Sequence, residues 1–188
     1  MGKDSSALAM EESSDFDRSK LRMKYDVNLL QQEVEKIVSN YPPYIYYSVI
    51  PLTLPGKINP DIDDPSHPDW REWSDSSALK SSPYIQSVLD SLQCRKTNVR
   101  LLRLEPRAIV KEHVDPQLDY RLGKQARFHV PIFCDPNVRF MLNSEEVSWA
   151  EGELWYLRLS DRHSVHNESS MERIQLSIDV AMDDWWSS

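Results

Sequence analysis

ARFHVPIF, residues 126–133, alternates two kinds of side chain. Successive residues of an extended strand point to opposite faces, so Arg127 and His129 share one face while Phe128, Val130 and Ile132 share the other. RIQLSIDVAM, residues 173–182, repeats the pattern: Arg173, Gln175, Ser177 and Asp179 alternate with Ile174, Leu176, Ile178 and Val180. A solvated outer face produces such alternation in many sheets. Here the polar faces carry two arginines and a histidine, and four of the five histidines fall between residues 113 and 166. A polar barrel interior gathers them.

The runs around these two strands fit that architecture. VRLLRL (99–104), VRFMLN (138–143), EVSWA (146–150) and GELWYLRL (152–159) are short, strand-like and separated by Pro, Asn, Asp and Gly, the spacing of a sandwich or barrel. The first half reads differently. Asp26 is placed to cap a helix whose apolar face is Leu30, Val34, Ile37 and Val38, ending at the NYPPY break (40–44). YIYYSVIPLTL (44–54) predicts a strand, and the Pro- and Asp-rich stretch to Trp73 a long loop. Ser82 as N-cap and Pro83 at the first helical position open a second helix with Ile85, Val88, Leu89 and Leu92 on one face. The expected order is helices first, then a β-barrel or jelly roll, with no internal repeat. Residues 1–20 are too polar to bury themselves and read as a disordered tail, leaving residues 21–188 as one domain.

Composition narrows the function. The chain has 188 residues, 40% of them hydrophobic, and a net charge of -8, so it lacks the basic field of a nonspecific nucleic-acid binder. No apolar run approaches the roughly 20 residues of a membrane helix. Cys94 and Cys134 form neither a zinc spacing nor a disulfide framework, and no signal-peptide pattern precedes them, so a cytoplasmic location is expected. The opening MGKDSS fits the loose myristoylation pattern, which short polar tails often match by chance.

KEHVDPQLDY (111–120) sets His113 and Asp115 two residues apart, where an extended segment aims both the same way. Two histidines and one carboxylate on one face suit non-haem Fe(II), leaving positions for a bidentate co-substrate and O2. DRHSVHN (161–167) offers His163 or His166 as the third ligand, and spacing alone leaves both open. His-x-Asp before Pro116 also occurs in ordinary turns.

Taken in order, NVRLLRLEPRAIVKEHVD (98–115), ARFHVPI, VRFMLN, EGELWYLRLSDRHSVHN (151–167) and ERIQLSIDV (172–180) resemble the aspartyl/asparaginyl β-hydroxylase-like family of 2-oxoglutarate-dependent oxygenases. They are especially similar to its small bacterial members, which include proline cis-4-hydroxylases. The resemblance covers residues 82–180 and implies a double-stranded β-helix, a cupin-like jelly roll. It implies His113, Asp115 and His163 as catalytic metal ligands, because the family's distal histidine precedes the co-substrate arginine by ten residues, pairing His163 with Arg173. Arg173 then binds the distal carboxylate of 2-oxoglutarate, and Arg127 and His129 match the R-x-H pair that helps hold the co-substrate. Asp115 separates this chain from the animal hydroxylases of the family, which lack the metal carboxylate, and from related halogenases, where a small residue replaces it.

The implied activity is hydroxylation of an unactivated C–H bond, on a free amino acid or an amino-acid residue of a small peptide, with decarboxylation of 2-oxoglutarate to succinate. Two other readings use the same residues. A cupin-like module would bind metal or carboxylate without oxidising anything. A metal-dependent hydrolase would take Glu112 or His166 as base. Trp155 reads as core or barrel lining, and the DWREW segment (69–73) as a loop beside the mouth.

Overall fold

The computed structural model describes residues 16–43, 45–122 and 125–182. In chain order the elements are β1 (Arg18–Lys24), α1 (Val27–Val38), β2 (Tyr47–Pro51), β3 (Thr53–Ile58), β4 (Arg71–Asp75), α2 (Ser77–Lys80) and α3 (Pro83–Ser91). There follow β5 (Lys96–Leu104), β6 (Ile109–His113), β7 (Gln125–Phe133), β8 (Val138–Leu142), β9 (Glu145–Glu146), β10 (Glu153–Leu157), β11 (His163–Asn167) and β12 (Arg173–Ala181).

Both expected helices form, the first for the expected reason. The Asp26 carboxylate accepts from the amides of Asn28 and Leu29, and Leu30, Val34 and Ile37 are buried beneath α1. The start of α3 differs. Ser82 makes no side-chain cap to its own helix; its hydroxyl donates instead to the Ala78 carbonyl at 2.8 Å. The carboxylate of Glu33, on α1, accepts from the amides of Tyr84 and Ile85, each at 2.8 Å. One helix therefore supplies the N-terminal acceptor of the other, a tertiary version of capping invisible to local reading.

Two further expectations change. The long loop after Leu54 is half hairpin, because Thr53–Ile58 pairs antiparallel with Arg71–Asp75, so DWREW runs into strand β4. The polar start is not all tail. Arg18–Lys20 belong to β1, which pairs with β10, because their backbone satisfies a sheet edge and Leu21 is buried beside them. Residues 1–15, including MGKDSS, lie outside the described residues.

The strands form antiparallel sheets of order β1-β10-β7-β12-β5-β2 and β6-β11-β8-β9, the two sheets of a double-stranded β-helix. Alternation sorts the core into two layers. Phe128, Val130, Ile132, Leu154, Tyr156, Ile174, Leu176 and Ile178 face the helices on the outer side of the larger sheet. Leu104, Phe140, Leu142, Leu157 and Val165 pack on the inner side, between the sheets. The polar face of β7 and β12 also turns inward, and all nine residues of β12 are buried. The structure thus selects the barrel interior over the solvated face.

Gly152 immediately precedes β10 at φ 77°, and a Cβ there would stand 2.5 Å from the Tyr25 carbonyl oxygen, while the Tyr25 amide donates to Gly152 O at 2.8 Å. Only glycine fits that close approach.

Candidate active site

The smaller sheet places the histidines. His113 ends β6 and is paired in register with His163 on β11, bringing the ring centroids to 4.2 Å. Asp115 lies two residues beyond β6, anchored by its amide to the Leu159 carbonyl at 2.7 Å. Donor atoms of His113, Asp115 and His163 all lie within 4.8 Å of one another, the only such group among the described residues. His166, also on β11 rather than in a loop, is three residues from His163 and so belongs to the opposite face of the strand. Glu112 is likewise turned out, paired with Arg162 at 3.2 Å.

Each of the two clustered imidazoles has Nδ1 against a backbone carbonyl, Lys111 O for His113 at 2.8 Å and Asp161 O for His163 at 2.9 Å. A carbonyl only accepts, so Nδ1 carries the proton and Nε2 keeps its lone pair. Burial, opposed by the Asp161 contact, holds the His163 pKa below the usual histidine value, which keeps the ring neutral at pH 7. Two Nε2 lone pairs and one carboxylate oxygen are a ligand set for non-haem iron.

The larger sheet supplies the charges. Arg127 makes a two-armed pair with Asp179, Nε to Oδ1 at 2.5 Å and Nη2 to Oδ2 at 3.0 Å, and its Nη1 reaches Asp115 Oδ2 at 3.1 Å. Arg100 joins Asp179 at 3.3 Å. Burial opposes the Arg127 charge, but Asp179 and Asp115 outweigh it and raise the pKa. Arg127 is thus committed to carboxylates of the chain itself, which differs from the co-substrate contact implied by its motif.

Arg173 has no such partner. It is 2% exposed, its Nη2 donates to Gln175 Oε1, its guanidinium lies 5.6 Å over the Trp149 ring, and its Nε is buried without an acceptor. Burial pulls its pKa down, opposed only by the Cys134 thiol and the Tyr47 hydroxyl, and no carboxylate of the described residues acts on it. A buried cation without an anion is costly. Beside it, His129 Nε2 and Ser177 Oγ are also buried and unpartnered, on adjacent strands that pair Ser177 with His129. This cluster suits an anion carrying several acceptor oxygens.

Residues 69–182 match the family described as aspartyl/asparaginyl β-hydroxylase. The chain belongs to that family. It is accordingly an Fe(II)/2-oxoglutarate-dependent oxygenase, and the described residues fit both groups: a His-Asp-His cluster for the metal, and a buried, unpaired guanidinium with orphaned donors for a dicarboxylate. Family membership sets aside the binding-module and hydrolase readings. No curated protein matches the chain by sequence.

Among solved structures, the chain resembles an oxidoreductase of the 2OG-Fe(II) oxygenase family from Burkholderia pseudomallei, with TM-score 0.58 and 9% identity over 90% of this chain and 86% of that one. It also resembles HygX from Streptomyces hygroscopicus, solved with nickel and 2-oxoglutarate bound, with TM-score 0.56 and 11% identity over 88% of this chain and 82% of that one. At such identities these likenesses speak for the β-helix fold.

Several participants escaped sequence reasoning. Gln175 and Asp179 were visible as members of a polar face, but their partners lie on other strands. Trp149 was expected in a strand, whereas it lies in the connection after β9. Trp155 is half-buried against the inner core, its Nε1 donating to Glu153 at 3.0 Å. Trp70 and Trp73 line a cavity of about 240 Å3 together with Arg100, Gln125, Arg127 and Asp179. Among the described residues no helix is long and apolar enough to cross a membrane.

Proposed function

We propose that this family member hydroxylates an unactivated C–H bond of a free amino acid or of an amino-acid residue in a small peptide. His113, Asp115 and His163 hold Fe(II); Arg173 and His129 hold the two ends of 2-oxoglutarate. The observation that carries this reading is the juxtaposition of three converging donors with a buried arginine that no carboxylate of the described residues compensates. When bound, iron and 2-oxoglutarate supply oxygen activation, with succinate and CO2 as the co-substrate's products.

The chain's own residues orient and exclude. Arg173 presents a planar fork suited to a carboxylate. Arg127 grips one oxygen of Asp115 and leaves the other free for the metal, so its part is to aim a ligand. The walls of Phe140 and Trp149, with ring centroids 6.2 and 6.1 Å from His129, keep that side of the site apolar.

The test needs no substrate. Anaerobic Fe(II)-loaded protein given 2-oxoglutarate is expected to develop the weak visible charge-transfer band of a bidentate keto-acid complex, and Arg173→Ala to weaken it. Succinate release then ranks candidate amino acids and peptides. Iron-loaded protein that gives no band would overturn the proposal.

A further inference from the structure

The three histidines of the site, His113 at its exposed rim and His129 and His163 buried, are not wired alike. His113 and His163 each give their Nδ1 proton to a carbonyl two residues upstream, so each turns a bare Nε2 toward the cluster. His129 has no carbonyl at Nδ1. It has the side-chain nitrogen of Gln175, at 2.8 Å.

Which way that amide faces is settled by Arg173. A guanidinium has donors and no acceptor, and its Nη2 meets Gln175 Oε1. Rotating the amide by half a turn would set NH2 against NH2 at Arg173, so Oε1 stays there and Nε2 stays at His129. The Gln175 nitrogen can only donate, so His129 Nδ1 must hold a lone pair. The neutral ring then carries its proton on Nε2, which is buried and has no acceptor in the protein. Protonating the whole ring would again set donor against donor, and burial already opposes that charge.

We infer that Gln175 is a positioning residue that fixes the tautomer of His129, keeping an N–H on Nε2 for the co-substrate where the two ligand histidines offer lone pairs. The inference rests on the proposed function for what the N–H meets. The relay runs Arg173 to Gln175 to His129, so the residue proposed to hold one carboxylate of 2-oxoglutarate also sets the donor for the rest of it.

The first measurement is made on metal-free protein labelled with 15N in histidine, using long-range proton–nitrogen correlations that separate protonated from bare ring nitrogens. His129 is expected to show bare Nδ1 and protonated Nε2, and His113 and His163 the reverse. Gln175→Glu replaces the donor by a carboxylate that accepts from Arg173 and from the ring together, so His129 should switch to the pattern of the other two. With the Ni(II)-loaded protein, which does not turn over, the 2-oxoglutarate dissociation constant should then rise about 10- to 100-fold, the worth of one hydrogen bond to a charged acceptor. Gln175→Met keeps the bulk, removes both contacts and should leave the two tautomers mixed; it serves if the Glu variant does not fold. Wild-type His129 with its proton on Nδ1 would overturn the inference, as would a Gln175→Glu protein that folds and keeps both tautomer and affinity. Wild-type Ni(II) protein that binds no 2-oxoglutarate would overturn the proposed function instead, while the nitrogen spectrum still judges Gln175.

Discussion

Arg173→Met should make the protein more stable and less able to bind its co-substrate. The wild-type guanidinium is 2% exposed and faces no carboxylate of the described residues, so the chain bears its desolvation without a compensating ion pair. Exchanging buried charges for apolar groups of similar size gains about 1 to 4 kcal/mol. Against this, Gln175 Oε1 loses its donor, which costs about 1 to 3 kcal/mol for a buried acceptor. Taking the upper part of the first range, because no carboxylate pairs this cation, the net gain is about 1 to 2 kcal/mol, or about 2 to 8 °C in Tm for a chain of this size. Ligand acts oppositely on the two proteins. At a hundredfold excess over Kd, 2-oxoglutarate stabilises the wild type by about 2.7 kcal/mol and the variant hardly at all. Thermal unfolding of the Ni(II)-loaded proteins should therefore show the variant melting above the wild type without 2-oxoglutarate and below it with saturating ligand. A variant that melts lower in both conditions, or that 2-oxoglutarate stabilises as much as the wild type, would refute the idea that Arg173 is an unsatisfied cation awaiting an anion.

Three other predictions concern the surroundings of that cation. His113→Ala and Asp115→Ala should abolish succinate release and weaken Ni(II) binding at least about tenfold, whereas His166→Ala, on the other face of β11, should leave metal affinity unchanged; equilibrium dialysis against the metal separates them. Arg127→Met should lower stability by about 3 kcal/mol, because Asp179 keeps only Arg100, and should weaken the metal site about 10- to 100-fold by freeing Asp115, read from urea unfolding and the same dialysis. Finally, burial holds the His129 pKa well below the usual 6.5. Below that value the unfolded chain takes up a proton that the folded one refuses, so stability is full above pH 6.5 and is lost on acidification, by about 1.4 kcal/mol per pH unit from this group. His129→Gln should flatten that part of the stability–pH curve measured in urea, and an unchanged slope would contradict it.

The architecture was legible where period and composition agreed. Strand alternation in residues 126–133 and 173–182 foretold two faces, and the capping Asp26 and the Ser82-Pro83 pair foretold two helices. What failed were features made by distant partners. Arg18–Lys20 read as tail because nothing local to them is apolar enough; their partner edge, β10, lies more than a hundred residues on. Thr53–Ile58 contains Pro and Gly, which argue against a strand, yet it forms a short hairpin with β4 outside both main sheets. The clustered residues His113, Asp115 and His163 were readable as a motif and by resemblance, but the placing of His163 rather than His166 in the cluster follows physically only once both lie on one strand, three residues apart. Arg127 shows the opposite limit. Its motif spoke for the co-substrate, and only the position of Asp179 on the neighbouring strand shows where its guanidinium is spent.

The place of β12 carries a consequence for synthesis. It is the last described strand in the chain and lies in the middle of the six-stranded sheet, between β7 and β5. Until residues 173–181 have been made, β1-β10-β7 and β5-β2 are two fragments with unpaired inner edges and apolar outer faces. Closing them demands contacts between residues far apart in sequence, which is slow and leaves the fragments prone to associate with other chains. A nascent polypeptide stalled before Arg173 would thus be at once inactive and sticky, and a chaperone that shields strand edges would matter most during that interval.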